Sequence, residues 1–163
     1  MKTILYLHGF ISSPASRKAV MLGDYVRGQA PGVEYLVPAL HHRPAEAIAQ
    51  VHAICDERHP ADLLVVGSSL GGFYATVAAE RAGCRAVALN PAVHPQRHFE
   101  RYLGPQQNLH TGERFDLTPG HVAELAAIDP PALTRPDRYW LIVETGDEVL
   151  DYREAVAYYA GAF

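Results

Sequence analysis

The stretch Asp62-Leu-Leu-Val-Val-Gly-Ser-Ser-Leu-Gly-Gly-Phe-Tyr-Ala-Thr76 decides the fold. Its apolar, β-branched run from Leu63 to Val66 predicts a fully buried strand. The segment Gly67-Ser-Ser-Leu-Gly71 follows and fits the pattern G-x-S-x-G, and a helical pattern then runs from Leu70 to about Ala82. Strand, tight turn and helix together predict a nucleophile elbow, in which a strained turn presents a serine at the edge of a sheet.

The residue types in this turn indicate which serine is the nucleophile. Residues two before and two after a nucleophile of this kind pass close to other backbone, and only glycine lacks the Cβ that would clash. Gly67 and Gly71 hold these positions around Ser69, so we expect Ser69 to be the nucleophile. The N–H of Leu70, at the start of the helix, can face a developing oxyanion. The alternative is a Gly/Ser-rich turn without chemistry.

Length, composition and charge exclude several classes of protein. With 163 residues, 48% hydrophobic and 20% charged, the chain is expected to form one globular domain over residues 1–163. The net charge of −4 argues against a nucleic-acid partner, which requires a basic patch. No apolar run approaches the length of a membrane span, and the N-terminus lacks the pattern of a signal peptide. We therefore expect a cytoplasmic protein without a membrane partner.

Strands alternate with helices along the rest of the chain. This order predicts an α/β fold with a mostly parallel sheet that is covered by helices on both sides. Residues 104–117 are expected to form a loop. Further strands are expected over residues 2–7, 33–37, 85–89 and 139–144, and helices over residues 15–27, 44–58, 96–103, 119–127 and 151–160.

An acidic residue is expected to orient the base that activates the serine. In the α/β-hydrolase arrangement the acid follows the serine in the chain, at the carboxyl end of a later strand. Asp147 follows the strand 139–144 and is the preferred candidate. Glu144 is expected to lie still on the strand, Asp151 is explained as a helix cap, and Glu148 is a rival. Asp147 could instead be an ordinary turn residue.

The loop after the first strand is the expected source of the second oxyanion donor. His8-Gly9-Phe10 fits this position, with the N–H of Phe10 as the donor and with Gly9 allowing a close backbone approach. His8 is expected to support this loop by a hydrogen bond rather than to act as the base.

Several short segments spread over nearly the whole chain match one known family. They are Tyr6-Leu-His-Gly-Phe10, Ser12-Ser-Pro14, Gly67-Ser-Ser-Leu-Gly-Gly72, Asn90-Pro-Ala-Val93, Tyr102-Leu-Gly104, Thr111-Gly112, Thr145-Gly-Asp-Glu-Val-Leu-Asp-Tyr-Arg153 and Tyr158-Tyr159. In these segments the chain resembles the YqiA-like esterases of the α/β-hydrolase superfamily. The resemblance implies a serine esterase or thioesterase that acts on small-molecule acyl substrates, with Ser69 as nucleophile and Asp147 as acid. No cofactor and no metal is expected.

The C-terminal end departs from the family pattern. That pattern continues with one more strand, a Gly-rich loop that bears the triad histidine, and a final helix, all of which are absent from this chain. The sequence stops at Phe163, and its last histidine is His121. We expect the triad histidine to lie beyond Phe163 in a chain that has been shortened; a natural short form is the alternative. The exposed edge of the last strand could promote homodimers.

Two further groups of residues, several histidines and a set of apolar side chains, could take part in the site or could be merely structural. His94 and His98 could share a helix face, but without a third ligand a metal site is not expected. His94 or His121, in the region 91–136 where hydrolases of this fold insert a small cap, could touch substrate or replace the base. Apolar residues of that region could line an acyl pocket or merely pack the cap onto the core: Phe99, Tyr102, Leu103, Leu109 and Phe115.

The sequence thus predicts a hydrolase of carboxylic esters or acyl thioesters. Two alternatives remain open at this point: a catalytically inactive hydrolase-fold binding or scaffold protein, and an acyltransferase that uses the same serine.

Overall fold

A five-stranded parallel sheet forms the centre of the computed structural model, which describes residues 2–147 and 149–163. Its strand order is β2-β1-β3-β4-β7, and each neighbouring pair runs parallel. A two-stranded antiparallel hairpin, β5–β6, lies apart from it. The strands are β1 (Thr3–Leu7), β2 (Glu34–Leu36), β3 (Leu63–Ser68), β4 (Arg85–Leu89), β5 (Gly104–Gln107), β6 (Arg114–Leu117) and β7 (Tyr139–Ile142).

Six α-helices connect and cover these strands. They are α1 (Arg17–Gln29), α2 (Pro44–Asp56), α3 (Leu70–Ala82), α4 (Gln96–Phe99), α5 (Pro119–Ile128) and α6 (Tyr152–Tyr158), and short 3₁₀ turns occur at Pro60–Asp62, Glu100–Tyr102 and Pro136–Arg138. Among the described residues, no helix is both long enough and apolar enough to cross a membrane.

The central strand β3 and the helix α3 form the core, because their residues are apolar on every side. Leu63, Val65 and Val66 are buried, and every residue of α3 from Leu70 to Ala79 is buried as well. A strand that is buried on both faces has a continuous apolar sequence rather than alternating apolar and polar residues. The segment 62–76, which predicts the fold, is therefore also the centre of the packed molecule.

Helices cover both faces of the sheet, as the sequence predicts. Helix α1 packs on one face through Ala19, whereas α2, α3 and α6 pack on the other. The predicted α/β class with a mostly parallel, doubly covered sheet is confirmed. On the α1 face, the helices do not cover β7. Trp140 and Ile142 of this strand lie on that face, in register with Val87 and Leu89 of β4, and both are exposed, Trp140 by 60%.

The prediction of a loop over residues 104–117 is wrong, because this segment forms the β5–β6 hairpin. The second strand, Arg114-Phe-Asp-Leu117, alternates polar and apolar residues over only four positions, and the first, Gly104-Pro-Gln-Gln107, has no such alternation. Contacts from elsewhere in the chain also hold the hairpin. The Asn108 side chain in the hairpin turn donates to the carbonyl of Ser12 at 2.7 Å, and it accepts from the N–H groups of His110 and Thr111.

The last strand ends earlier than the sequence predicts. Strand β7 ends at Ile142, and Glu144 lies beyond it, where its N–H donates to the Asn90 side chain at 2.6 Å. On the outer edge of β7, Phe163 accepts from the N–H of Leu141 at 2.9 Å and donates to the carbonyl of Tyr139 at 3.0 Å. This is the bonding pattern of a parallel pair, so Phe163 runs in the same direction as β7.

Candidate active site

Ser69 lies at a strained turn between β3 and α3. Its backbone has φ 55° and ψ −121°, a combination that residues other than glycine rarely adopt. The surrounding structure fixes this turn: the Ser69 N–H donates to the carbonyl of Leu89 at 3.1 Å, and the Ser69 carbonyl accepts from the N–H of Ala92 at 3.0 Å. Strain of this kind persists only where neighbouring contacts impose it, and it concentrates at functional sites.

Two glycines make the turn possible because backbone passes directly against them. A Cβ placed on Gly67 would lie 2.0 Å from the carbonyl oxygen of Gly71. A Cβ placed on Gly71 would lie 2.0 Å from the carbonyl oxygen of Leu7 in β1. Strand β3, helix α3 and strand β1 are therefore in backbone contact around Ser69.

The loop after β1 runs beside the Ser69 hydroxyl. A Cβ placed on Gly9 would lie 3.8 Å from Ser69 Oγ and 3.3 Å from Ser69 Cβ. The backbone N–H groups of Phe10 and Leu70 donate no hydrogen bond to any of the residues that the structure describes. Both residues line the same cleft, and both N–H groups are available as donors to an oxygen bound next to the serine.

His8 links this loop to the segment after β2. Its Nε2 accepts from the N–H of Leu40 at 3.1 Å, so the ring proton lies on Nδ1, which is 3.0 Å from the carbonyl of Gly9. The side chain is buried, and burial lowers the pKa of His8 below its ordinary value. A neutral imidazole with these two bonds holds the loop in place.

We expect the lowered pKa of His8 to make the fold sensitive to acid. The unfolded imidazole has a pKa of about 6.5, so below that pH the unfolded chain binds the proton more readily than the folded chain. This contribution to the free energy of unfolding is complete above about pH 6.5 and is lost as the pH falls toward the lower folded pKa. Replacing His8 with Gln, which can still accept from Leu40, should reduce the loss of stability between about pH 7 and pH 5.

Thermal melts followed by circular dichroism across this pH range would measure the difference. His59→Gln is the matched control, because His59 is exposed and precedes β3 at the opposite end of the sheet. Equal acid sensitivity in the wild type and His8→Gln would contradict the prediction.

A narrow cleft of about 30 Å³ lies next to the Gly9–Phe10 loop. Its walls come from that loop, from the segment after β2, from the start of α3 and from the hairpin. Among the apolar cap residues that the sequence offers as pocket lining, Phe115 lines this cleft. Phe99 is buried against the Phe10 ring, with centroids 5.1 Å apart, whereas Leu103 and Leu109 are exposed, Leu109 by 84%. The cap therefore contributes one aromatic wall here and otherwise packs on the core or faces solvent.

Asp147 lies in the loop after β7, on the same edge of the sheet as Ser69 but outside the narrow cleft. One of its carboxylate oxygens accepts from the N–H groups of Val149 and Leu150, at 2.8 and 3.0 Å. The residue borders a wider groove of about 430 Å³ and a smaller space beside Asn90 and Pro91. Pro91 directly precedes Ala92, whose N–H donates a hydrogen bond to the Ser69 carbonyl. The loop after β4 therefore lies between Asp147 and the turn at Ser69.

The rival acids have other positions. Asp151 caps α6, as the sequence predicts, by accepting from the N–H of Arg153 at 2.9 Å. Glu144 lies past the end of β7 and is exposed. Glu148 lies outside the described residues.

No histidine among residues 2–147 and 149–163 forms a hydrogen bond with the Ser69 hydroxyl. His94, whose φ is 46°, bonds through Nδ1 to the Asp129 carboxylate at 2.6 Å. His121 is only 2% exposed and bonds to Thr118 and His42. These two histidines are thus committed to partners in the cap region and in the segment after β2.

A row of stacked rings at the cleft is the feature that the sequence analysis missed. His42 lies between His41 and Phe115, with centroid distances of 4.5 and 4.4 Å, and His121 lies beside both His42 and Phe115. One signal was available: His41 and His42 follow β2 at the carboxyl edge of the sheet, where functional loops gather. The pairing of His42 with His121 joins distant parts of the chain and has no local signature.

Metal ligands do not cluster in the part of the chain that the structure describes. No three side chains of His, Cys, Asp or Glu converge there in a way that could hold an ion. Cys55 and Cys84 are both free and buried, and burial raises the pKa of Cys55 to about 11.

The parallel sheet, the serine on a strained turn and the flanking helices define an α/β-hydrolase fold. The chain belongs to the UPF0227 family, whose model, described as an uncharacterised protein family, matches residues 3–163. The resemblance to the YqiA-like members of the α/β-hydrolase superfamily is thereby confirmed.

Known proteins resemble this chain in sequence and in fold. A UPF0227 protein of Yersinia enterocolitica is 31% identical over 149 residues, which cover 91% of this chain and 77% of that protein. Other curated relatives match along about half of their length, for example 54% of a UPF0227 protein of Vibrio atlanticus. Among solved structures, a putative hydrolase from Agrobacterium vitis superposes with a TM-score of 0.73 at 16% identity, covering 96% of this chain and 74% of that one. Est1E from Butyrivibrio proteoclasticus, with ferulic acid bound, gives 0.69 at 16% identity, covering 97% and 74%.

Proposed function

We propose that this protein is a serine hydrolase that cleaves carboxylic esters or acyl thioesters. The observation that carries the proposal is the geometry of Ser69: a non-glycine residue at φ 55° on a strand–helix turn, with the Gly9–Phe10 loop beside its hydroxyl. A structure has little reason to hold a serine in this strained conformation unless the exposed hydroxyl is used.

The proposed reaction has two steps. Ser69 Oγ attacks the acyl carbonyl carbon, its proton passes to the base, and the carbonyl oxygen becomes an oxyanion held by the N–H groups of Phe10 and Leu70. The carbon–oxygen or carbon–sulfur bond to the leaving group then breaks, and the leaving group takes the proton from the base. Water repeats the sequence on the acyl-serine, releasing the carboxylic acid and restoring the hydroxyl.

Asp147 is the proposed acid of the triad, and its loop position after β7 supports this role. We assign the base, as the family resemblance implies, to a histidine that follows Phe163. Residues 91–136 would act as a small cap over the site.

Labelling with a fluorophosphonate tests the proposal without knowledge of the substrate. Attack by Ser69 Oγ forms an oxygen–phosphorus bond and expels fluoride, which adds a fixed mass to the protein. We expect one adduct per chain, located by peptide mapping on Ser69 and absent from Ser69→Ala. An adduct on a different residue, or no adduct on the protein expressed from its own gene, would overturn the proposal.

Binding without turnover is the second candidate function. The lack of a hydrogen bond between Ser69 and any described histidine favours it, because a serine without a base is a poor nucleophile. The same labelling experiment separates the two, since an inert serine would not react.

A further inference from the structure

A series of hydrogen bonds from Thr118 through His121 ends at His42, in the cleft beside the Gly9–Phe10 loop. The N–H of Thr118 donates to Nδ1 of His121 at 3.2 Å, and the Thr118 hydroxyl lies 2.9 Å from the same nitrogen. Nδ1 of His121 is therefore an acceptor, and its ring proton must be on Nε2. That nitrogen lies 3.2 Å from Nδ1 of His42.

This series of hydrogen bonds fixes the tautomer of His42. Because Nδ1 of His42 accepts from His121, the proton of a neutral His42 must be on Nε2. Burial and the neighbouring His41 lower the pKa of His42, which keeps the ring neutral. His42 therefore presents a hydrogen-bond donor, and Nε2 has no hydrogen-bond partner among the residues that the structure describes.

The rings around His42 prevent it from turning away. Both of its faces are covered, by His41 on one side and by Phe115 on the other, with interplanar angles of 29° and 14°. Only the edge of the ring remains available, and His42 lines the same cleft as the two proposed oxyanion donors, Phe10 and Leu70.

We propose that His42 is a specificity-determining residue that donates through Nε2 to a neutral oxygen on the acyl group of the substrate, such as a hydroxyl or a keto oxygen. His121 is the positioning residue that sets its tautomer. This inference rests on the proposed hydrolase function and deepens it. Glu113, which lines the same cleft, disfavours an anionic acyl group.

A pair of covalent probes tests the inference. Ethyl p-nitrophenyl phosphonates with a butyl or a 3-hydroxybutyl group differ by one oxygen, and each reacts by forming a bond from Ser69 Oγ to phosphorus and expelling p-nitrophenolate. We expect the hydroxybutyl probe to label Ser69 about fivefold faster, the value of one neutral hydrogen bond. The ratio of the two rates should fall to about one in His42→Phe and should stay at the wild-type value in His59→Phe, because His59 is exposed and precedes β3 at the opposite end of the sheet.

The outcomes distinguish this inference from the proposed function. If both probes label wild-type Ser69 at equal rates, the inference is overturned and the hydrolase proposal stands. If neither probe labels Ser69, the hydrolase proposal fails and the inference fails with it. Faster labelling by a probe that carries a carboxylate in place of the hydroxyl would also overturn the inference, because it assigns His42 to a neutral group.

A second measurement covers the case in which His42→Phe does not fold. Long-range ¹H–¹⁵N correlation spectra of the wild type should show His42 protonated on Nε2. Addition of 3-hydroxybutyramide should shift that nitrogen, whereas butyramide should not. A proton on Nδ1, or equal shifts with the two amides, would refute the role of His42.

Discussion

Replacing Ser69 with Ala is expected to lower ester hydrolysis by at least about 10⁴-fold, because the reaction loses the atom that forms the acyl intermediate. The fold should persist, since the side chain is small and the turn is held through backbone bonds to Leu89 and Ala92. Initial rates with p-nitrophenyl acetate or butyrate would measure the effect, and circular dichroism would check the fold.

Ser68→Ala is the matched control for this change. Ser68 is the neighbouring serine and the last residue of β3, and its backbone does not have the positive φ of Ser69. Its replacement should leave hydrolysis near the wild-type rate. Retained hydrolysis in Ser69→Ala, or an equal loss in both variants, would falsify the assignment of the nucleophile.

Replacing Gly67 with Ala is expected to destabilise the fold strongly. The new Cβ would lie 2.0 Å from the carbonyl oxygen of Gly71 and 2.4 Å from its carbonyl carbon. Both atoms belong to the backbone of the most buried helix, so neither can move without displacing α3 from β3. Overpacking of this kind costs at least about 3 kcal/mol, a large part of a typical domain's 5–15 kcal/mol.

Gly28→Ala serves as the control for Gly67→Ala. Gly28 is exposed near the end of α1, and a Cβ there would meet no atom within 4 Å. The change should stabilise the protein by about 0.5–1 kcal/mol, because alanine favours the helix. Urea unfolding of the three proteins would measure both effects. A wild-type midpoint for Gly67→Ala would show that β3 and α3 do not approach as closely as described.

The sequence predicts β3, the turn at Ser69 and α3 well. There the residues favoured by the local backbone conformation are also the ones that the packing against distant parts of the chain requires. Glycines at positions 67 and 71 are needed by a turn that the neighbouring residues also favour, and the buried run before them is unbroken. The order of strands and helices, and hence the parallel sheet, follows from the same kind of local pattern. The end of β7 was placed too late because Val143 and Glu144 extend its sequence pattern past the last paired residue.

The cap and the ring stack could not be predicted in this way. Strand β5 has no alternation of apolar and polar residues and β6 has one over only four positions. The hairpin is held by Asn108 on Ser12 and by Phe115 between His42 and Phe10. Each of these contacts joins residues that are far apart in sequence. The roles of Ser69, Asp147, Phe10 and Leu70 remain predictions: Phe10 and Leu70 line one cleft and Asp147 borders a different groove, and reactivity is a property that the probes must measure.

The order of the strands in the sheet also bears on how the chain folds. Strand β1 pairs with β3, and β4 pairs with β7, so the strands of each pair are separated by a long stretch of the sequence. Pairings of this range slow folding, because the entropy of the intervening chain is lost before the contacts form. The turn at Ser69 depends on one of them, since its N–H donates to Leu89 of the strand that follows α3. During synthesis the serine therefore reaches its final geometry only after β4 has emerged and docked.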